Sequence, residues 1–193
     1  MNTALDEITI LRRKMCNVKL CSDPAVGEGG GDAGRQAPSS SPAVHFRQAA
    51  GHDLEAVAGL LGHLGYPLDP ADLKEMFVRL LEDAQTKILL AVSGSEVVGL
   101  VTVRTHPVLR FNGFQATIEE LVVHPDYRAQ GIGKGLLYAV NLLALMQGTV
   151  RVEVQTSTKR ESFRGGFYEK NGFERAQSAL YLRDLPGCDG DPF

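Results

Sequence analysis

Three glycines at alternate positions, Gly131, Gly133 and Gly135, stand in the stretch YRAQGIGKGLL, directly after an apolar run. Glycine weakens a helix or a strand by roughly 0.5–1 kcal/mol relative to alanine. Its repeated use here therefore indicates positions where a side chain would interfere with the role of the backbone. It runs from a predicted strand into a predicted helix, where unpaired N–H groups and the positive end of the helix dipole converge. Phosphate is the natural ligand of such a turn. From the glycines alone, a merely flexible helix start is an equal alternative.

Two better-known phosphate-binding motifs do not fit this stretch. The dinucleotide fingerprint GxGxxG requires a third glycine where Leu136 stands. The P-loop requires Ser or Thr after Gly133-Lys134, where Gly135 stands. The glycines therefore need a context of another kind to identify their role.

The hydrophobic pattern predicts an α+β fold, with a mixed, mostly antiparallel seven-stranded sheet and helices on both faces. The seven predicted strands are VHFRQA, KILLAVSG, EVVGLVTVRT, ATIEELVV, VRVEVQT, FERAQ and ALYLRD. A Gly94-Ser95 turn joins the second strand to the third, and Asn112-Gly113 predicts a turn before the fourth.

Four helices are predicted between these strands. The first, DLEAVAGLLGHLG, has Asp53 as its N-cap, and the second, DPADLKEMFVRLLEDA, is opened by Asp69 and Pro70. The third, GKGLLYAVNLLALMQG, is ended by Gly148. The last covers about residues 161 to 170 and is stopped by Asn171-Gly172.

Composition divides the chain into one domain and two tails. Residues 22–43 are crowded with Gly, Pro, Ser and Asp and carry almost no large apolar side chain, so they cannot offset their ordering entropy. We therefore expect a disordered or weakly structured tail over residues 1–43, a folded domain over residues 44–185 and a short tail over residues 186–193.

Charge and cysteine content restrict the function classes. A net charge of −3 without clustered Lys and Arg favours neither nucleic acid nor an anionic membrane, and leaves small molecules or protein surfaces as partners. No apolar run predicts a membrane span or a signal peptide, so we expect a cytoplasmic protein. The three cysteines, Cys16, Cys21 and Cys188, predict neither a disulfide framework nor a metal site.

Two motifs resemble those of the GNAT superfamily of acetyltransferases. Residues 128–133, RAQGIG, preceded by IEELVVHPDY, are similar to the R-x-x-G-x-G motif that follows the fourth strand in that superfamily. Residues 166–173, GFYEKNGF, are similar to its second motif, a helix that ends in Gly-Phe. The resemblance covers roughly residues 44–185.

The resemblance implies an N-acetyltransferase with acetyl-coenzyme A as co-substrate and no metal. It implies a sheet splayed between the fourth and fifth strands, with pantetheine between them and the coenzyme pyrophosphate on the glycine turn. The implied coenzyme contacts are Leu121, Val122 and Val123 for pantetheine, and Arg128, Ala129, Gln130, Gly131, Ile132, Gly133 and Lys134 for the pyrophosphate.

Acetyl transfer to an amine needs a base, an acid and an oxyanion donor. Glu119 and Glu120 are the preferred candidates for the base, of which only one should face the acceptor because neighbours in a strand point to opposite faces. Glu153 ranks behind them, and water is an alternative. Tyr168 matches the tyrosine that the family places beside the coenzyme sulfur, so it is the candidate acid. The amide of Val122 is the candidate oxyanion donor.

The acceptor is the least constrained part of the prediction. We expect contacts from residues 65–69, 106–113 and 176–179. The IEELVV strand and the FYEKNGF helix are similar to those of amino-sugar acetyltransferases, whereas aminoglycosides, polyamines and amino acids stay open. Protein N-termini or lysines, and a non-catalytic acyl-coenzyme A sensor, are the alternatives, and the chain leaves a homodimer open.

Overall fold

The computed structural model describes residues 43–183. They divide into two compact units, residues 43–154 and residues 155–183. Of the predicted tails, residues 1–43 and 186–193, only residue 43 falls within the described residues. All three cysteines lie outside the described residues. Within residues 43–183, no helix combines the length and the apolar character needed to cross a membrane.

The first unit contains a mixed sheet of five strands in the order β1-β2-β3-β4-β5. The strands are β1 (Val44–Gln48), β2 (Thr86–Ser93), β3 (Glu96–Val108), β4 (Gly113–Val123) and β5 (Thr149–Val154). The first four are antiparallel neighbours, and β5 is parallel to β4. The predicted turns at Gly94 and Asn112 are confirmed, and both residues adopt a positive φ.

Three helices cover the two faces of this sheet, namely α1 (Leu54–Leu64), α2 (Pro70–Glu82) and α3 (Ile132–Met146). On one face, Val57 and Leu60 of α1 and Phe77 of α2 share a buried cluster with Leu100 and Val122. On the opposite face, Ile132 and Leu136 of α3 pack beside Gly99 of β3. Helices on both faces are therefore confirmed.

The helix ends follow the predicted signals with one correction. The side chain of Asp69 accepts the amide of Ala71 and caps α2, and Gly148 follows the end of α3. Asp53 precedes α1, but its carboxylate caps nothing there. Instead it binds Arg47 of β1 through two short contacts, 2.7 and 2.6 Å, and the amide of Ala50. A guanidinium offers two charged donors, so it competes well against a helix amide.

The second unit departs from the sequence prediction at two places. The single predicted helix over residues 161–170 is two short helices, α4 (Glu161–Arg164) and α5 (Phe167–Lys170), divided at Gly165 and Gly166. Gly166 has φ +63°, which breaks a helix because it lies in the left-handed region. Residues 173–183 lie in no strand, so the sixth and seventh predicted strands, FERAQ and ALYLRD, are not confirmed.

Candidate active site

The glycine turn leads from β4 into α3 through a loop that is already hydrogen-bonded. The amides of Tyr127 and Arg128 donate to the carbonyls of His124 and Pro125, and the Nε atom of Arg128 donates to the carbonyl of Val123 at 3.2 Å. The Tyr127 hydroxyl donates to Glu96 at 2.7 Å. These contacts fix the path of the chain before the glycines.

The three glycines have different roles in this turn. Gly131 has φ +81° and precedes α3, a conformation that a residue with a Cβ rarely adopts. Gly135 donates to the carbonyl of Gly131 at 2.9 Å, so the amides of Ile132, Gly133 and Lys134 lie before the first bond of the helix ladder. Gly135 itself is buried against Phe46. Gly135 therefore serves packing, and the predicted phosphate contact concerns only Gly131 and Gly133.

Strand β4 continues well past its last pairing with β5. The register between the two strands ends at Ile118 opposite Val154, whereas β4 runs on to Val123. Within the described residues, the edge of residues 119–123 that faces away from β3 has no strand partner. The resemblance implied that the fourth and fifth strands splay apart, and this unpaired edge is where the coenzyme arm would lie.

The direction of each amide in this part of β4 follows from one contact. His124 donates its amide to the carbonyl of Val98, on the β3 side. Since amides alternate along a strand, the amide of Val122 also faces β3, and those of Leu121 and Val123 face the open edge. The amide of Val122, which the sequence analysis suggested as the oxyanion donor, therefore faces β3 and is not suited to that role.

The pairing of β4 with β3 is irregular at Glu119, next to Glu120. Thr102 is opposite Glu120 and Val103 is opposite Ile118, so Glu119 is an extra residue without an opposite residue on β3. Thr102 and Val103 are neighbours and face opposite ways, hence so do Glu120 and Ile118. Glu120 shares a face with Val122, the face that α1 and α2 cover.

Glu120 has the more perturbed carboxyl of the two. Burial raises its pKa, an effect to which the nearby charge of Glu119 adds, while a hydrogen bond from the Thr102 hydroxyl opposes it. Glu119 is exposed. A half-buried carboxylate with a raised pKa is the better general base, because it holds a proton more tightly near neutral pH.

Glu153, the third carboxylate, is already committed to other side chains. It accepts a hydrogen bond from Gln115 at 2.9 Å, and its Oε1 atom lies 3.4 Å from Arg151 and 4.0 Å from Arg110. Both guanidinium groups lie 4.5 Å from the ring centre of Phe111. We define Arg110, Phe111, Gln115, Arg151 and Glu153 as the arginine cluster. Ranking Glu153 behind the other two carboxylates agrees with these contacts.

Tyr168 lies in α5 of the second unit. Its ring makes edge contacts with Phe167 and Phe173 at 5.1 and 5.8 Å. Burial raises the pKa of its phenol, although a hydrogen bond with Thr156 and the charge of Arg160 act against that shift. The phenol therefore stays protonated at neutral pH, which suits a proton donor.

Sequence reasoning missed the residues that surround the carboxylates. Thr102 gave no signal of its own because it lies in an apolar strand, and its contact with Glu120 depends on register. Arg110 and Arg151 are 41 positions apart in the sequence and neither stands in a recognised motif. The described residues contain no group of three His, Cys, Asp or Glu side chains placed to hold a metal ion.

Comparison with known proteins identifies the family. A model described as an acetyltransferase (GNAT) domain matches residues 84–175. The chain contains a GNAT acetyltransferase domain. It is an acyltransferase of the kind that transfers acetyl to nitrogen, and GNAT acetyltransferases use acetyl-coenzyme A as co-substrate.

This GNAT acetyltransferase has relatives with named activities. It is 29% identical over 136 residues to an aminoalkylphosphonate N-acetyltransferase of Salmonella typhimurium, covering 70% of this chain and 88% of the relative. It is 29% identical over 134 residues to a glucosamine 6-phosphate N-acetyltransferase of Trypanosoma brucei brucei, covering 67% of this chain and 88% of the relative. A Bacillus halodurans structure named as a transcriptional regulator matches with a TM-score of 0.66 and 27% identity, covering 74% of this chain and 100% of the other.

Proposed function

We propose that this protein transfers acetyl from acetyl-coenzyme A to the primary amine of a small molecule by direct attack in a ternary complex. The observation that carries the proposal is the open edge of β4 beyond Ile118, which leads straight into a loop with amides before the helix ladder. A long, thin coenzyme arm that ends in a diphosphate needs both features. They lie within ten residues of each other in the chain.

The coenzyme would be held by backbone more than by side chains. The amides of Ile132, Gly133 and Lys134 and the dipole of α3 face a diphosphate, and Lys134 and Arg128, both exposed, add positive charge. Leu121 and Val123 offer their amides to pantetheine at the open edge. Ala129, with φ +60°, and Gln130, which donates to the carbonyl of Asp126, hold the shape of the loop.

Glu120 is the base in this proposal and Tyr168 is the acid. An amine attacks only when neutral, and an ordinary lysine-like amine has a pKa of about 10.4, so a proton has to leave it. Glu120 accepts that proton directly or through water, on the face that α1 and α2 cover. Tyr168 donates its phenolic proton to the departing thiolate. The amide of Leu121 or Val123 replaces that of Val122 as oxyanion donor.

The acceptor class comes from the named relatives. The Salmonella and Trypanosoma enzymes act on compounds whose names combine an amine with a phosphonate or a phosphate. We therefore propose a small phosphorylated or phosphonylated amine as the acceptor. The alternative is a non-catalytic acyl-coenzyme A sensor, and one similar structure, from Bacillus halodurans, is named as a transcriptional regulator.

An amine panel tests the proposal. Purified full-length protein is mixed with acetyl-coenzyme A and with glucosamine 6-phosphate, 2-aminoethylphosphonate, an aminoglycoside, spermidine or a peptide with a free N-terminus, and free thiol is measured. We expect turnover with at least one of the first two compounds. Tight binding of acetyl-coenzyme A without turnover of any amine would favour the sensor, and turnover of the peptide alone would overturn the small-molecule proposal.

A further inference from the structure

The arginine cluster occupies the same face of the sheet as Glu120. On β3, Thr102 and Arg104 are two residues apart, and their opposite residues on β4 are Glu120 and Thr117. Glu153 of β5 is opposite Thr117, so Glu120 and Glu153 stand in adjacent rows on one face. Two residues of a strand span about 7 Å. The cluster therefore lies about 7 Å from the proposed base along the strand direction, a separation that a small acceptor with an amine at one end and an anion at the other can span.

The charges of the cluster do not cancel. Arg110 and Arg151 converge on a single carboxylate oxygen, Oε1 of Glu153, which leaves one net positive charge. Arg104, exposed in the row of Glu153, adds another, although it also lies near Asp83. The Arg110 contact with Glu153 is long, at 4.0 Å, and its side chain is 65% exposed. An exposed guanidinium with a weak partner retains the capacity to bind an anion.

The two guanidinium groups are also held in place. Both stack on the ring of Phe111, and Gln115, which is buried, bridges Arg110 and Glu153. Side chains that are already oriented lose little entropy when they bind a ligand. Each guanidinium presents a rigid, planar fork of N–H donors that can bind two oxygens of a phosphate, whereas a lysine ammonium is a compact point charge without that geometry.

We propose that Arg110 and Arg151 bind the phosphate or phosphonate group of the acceptor while its amine lies at Glu120. This inference rests on the proposed acetyl transfer and adds the subsite that selects the acceptor. Glu153 holds the two arginines toward each other, at the cost of some repulsion of the incoming anion. Phe111 supports the pair from the loop between β3 and β4.

Matched acceptors and matched variants test the subsite. Glucosamine 6-phosphate and glucosamine differ only in the phosphate, and kcat/KM is measured for both with the native protein, Arg110→Gln, Arg151→Gln and Arg151→Lys. Arg79→Gln is the control, because Arg79 is an exposed residue of α2 that pairs with Glu75. The same set with 2-aminoethylphosphonate separates phosphate monoesters from phosphonates.

We expect each Gln variant to lower kcat/KM for the phosphorylated acceptor by about ten- to a hundredfold, mostly through KM, because a charge-assisted hydrogen bond to the anion is lost. Arg151→Lys should restore part of the loss. Glucosamine and acetyl-coenzyme A kinetics should change less than about threefold, as should everything in Arg79→Gln. Glu153→Gln should lower KM for the phosphorylated acceptor.

The outcomes separate the subsite from the activity. If the native protein acetylates glucosamine 6-phosphate and the Arg110 and Arg151 variants do so equally well, the subsite is wrong and the activity stands. Equal losses for glucosamine and glucosamine 6-phosphate would mean that the cluster only supports the fold. If the native protein acetylates none of glucosamine, glucosamine 6-phosphate and 2-aminoethylphosphonate, the phosphorylated acceptor is wrong, and acetyl transfer itself fails if no other small amine of the panel is turned over.

Discussion

Phe46 of β1 lies directly against the backbone of Gly135 in α3, and a Cβ atom at position 135 would overlap its ring. Phe46 is 5% exposed, so its ring has little room to move. The contact places the helix that follows the glycine turn at a fixed height above the sheet. Of the three alternate glycines, this one is explained by packing.

Replacing Gly135 by Ala should therefore lower stability. Overpacking a core costs about 1–3 kcal/mol, whereas replacing a helical Gly by Ala returns about 1 kcal/mol, so we expect a net loss of up to about 2 kcal/mol. Urea denaturation measures it. Gly59→Ala in α1 is the control, because a Cβ there meets nothing within 4 Å. A Gly135→Ala variant as stable as the native protein would contradict the packing role.

Replacing Gly133 by Val should act on coenzyme binding instead. The β-branched side chain would stand among the amides that precede the helix ladder and keep a diphosphate out of reach. Loss of two hydrogen bonds to a charged group, at about 1.5–3 kcal/mol each, predicts at least a hundredfold weaker affinity. Calorimetric titration with coenzyme A measures it. Circular dichroism checks folding, and normal affinity in a folded variant would remove the phosphate role of the turn.

Replacing Glu120 by Gln should lower activity and raise stability at the same time. Loss of a general base costs about a hundredfold or more in kcat. Burial raises the pKa of Glu120 in the folded protein, so the folded state binds its proton more tightly and stability falls as pH rises through that pKa. The free energy of unfolding of Glu120→Gln should thus exceed that of the native protein at pH 7. The difference should vanish below about pH 4, where both folded and unfolded carboxyls are protonated.

Glu119→Gln is the matched comparison for that experiment. Glu119 is exposed, so its loss should leave kcat and stability nearly unchanged. Its charge contributes to the raised pKa of Glu120, so the acidic limb of the pH profile should move to lower pH. If Glu120→Gln instead keeps the native kcat, water is the base and Glu120 serves only the sheet.

Replacing Tyr168 by Phe tests the acid. The ring and its contacts with Phe167 and Phe173 are kept, so KM for acetyl-coenzyme A should hardly change. We expect kcat to fall by about ten- to a thousandfold, since a thiolate leaves tolerably well unaided. Because burial raises the pKa of Tyr168, any alkaline limb that it causes lies above pH 10 and should disappear. Tyr138→Phe in α3 is the control, and an unchanged kcat in Tyr168→Phe would make it a packing residue.

The sequence predicted the features that depend on neighbours in the chain. Asp69 and Pro70 begin α2, Gly94 turns between β2 and β3, and the glycine turn separates β4 from α3. Each of these depends on backbone freedom or on a hydrogen bond that spans a few residues. The two motifs also led to the GNAT family before any fold was known.

The site needed information that no short stretch holds. Which of Glu119 and Glu120 faces α1 follows from Val122, two residues after Glu120, which packs in the cluster with α1 and α2, and this is visible only in the folded structure. Alternation alone indicated that the two differ, but the irregularity decides which face each of the surrounding residues takes. The arginine cluster likewise joins a loop and two strands across 38 or more positions of sequence.

Local chemistry thus determined where the chain turns, where its helices begin and which family it joins, because caps, turns and phosphate loops act over a few residues. Only tertiary structure decided that Asp53 binds Arg47 instead of capping α1, that Gly135 makes room for Phe46, and that Glu120 is the half-buried carboxylate. Each of these is a competition between partners distant in the chain. Its outcome depends on which groups the folded sheet brings within contact distance, and burial then sets the strength of the winning contact.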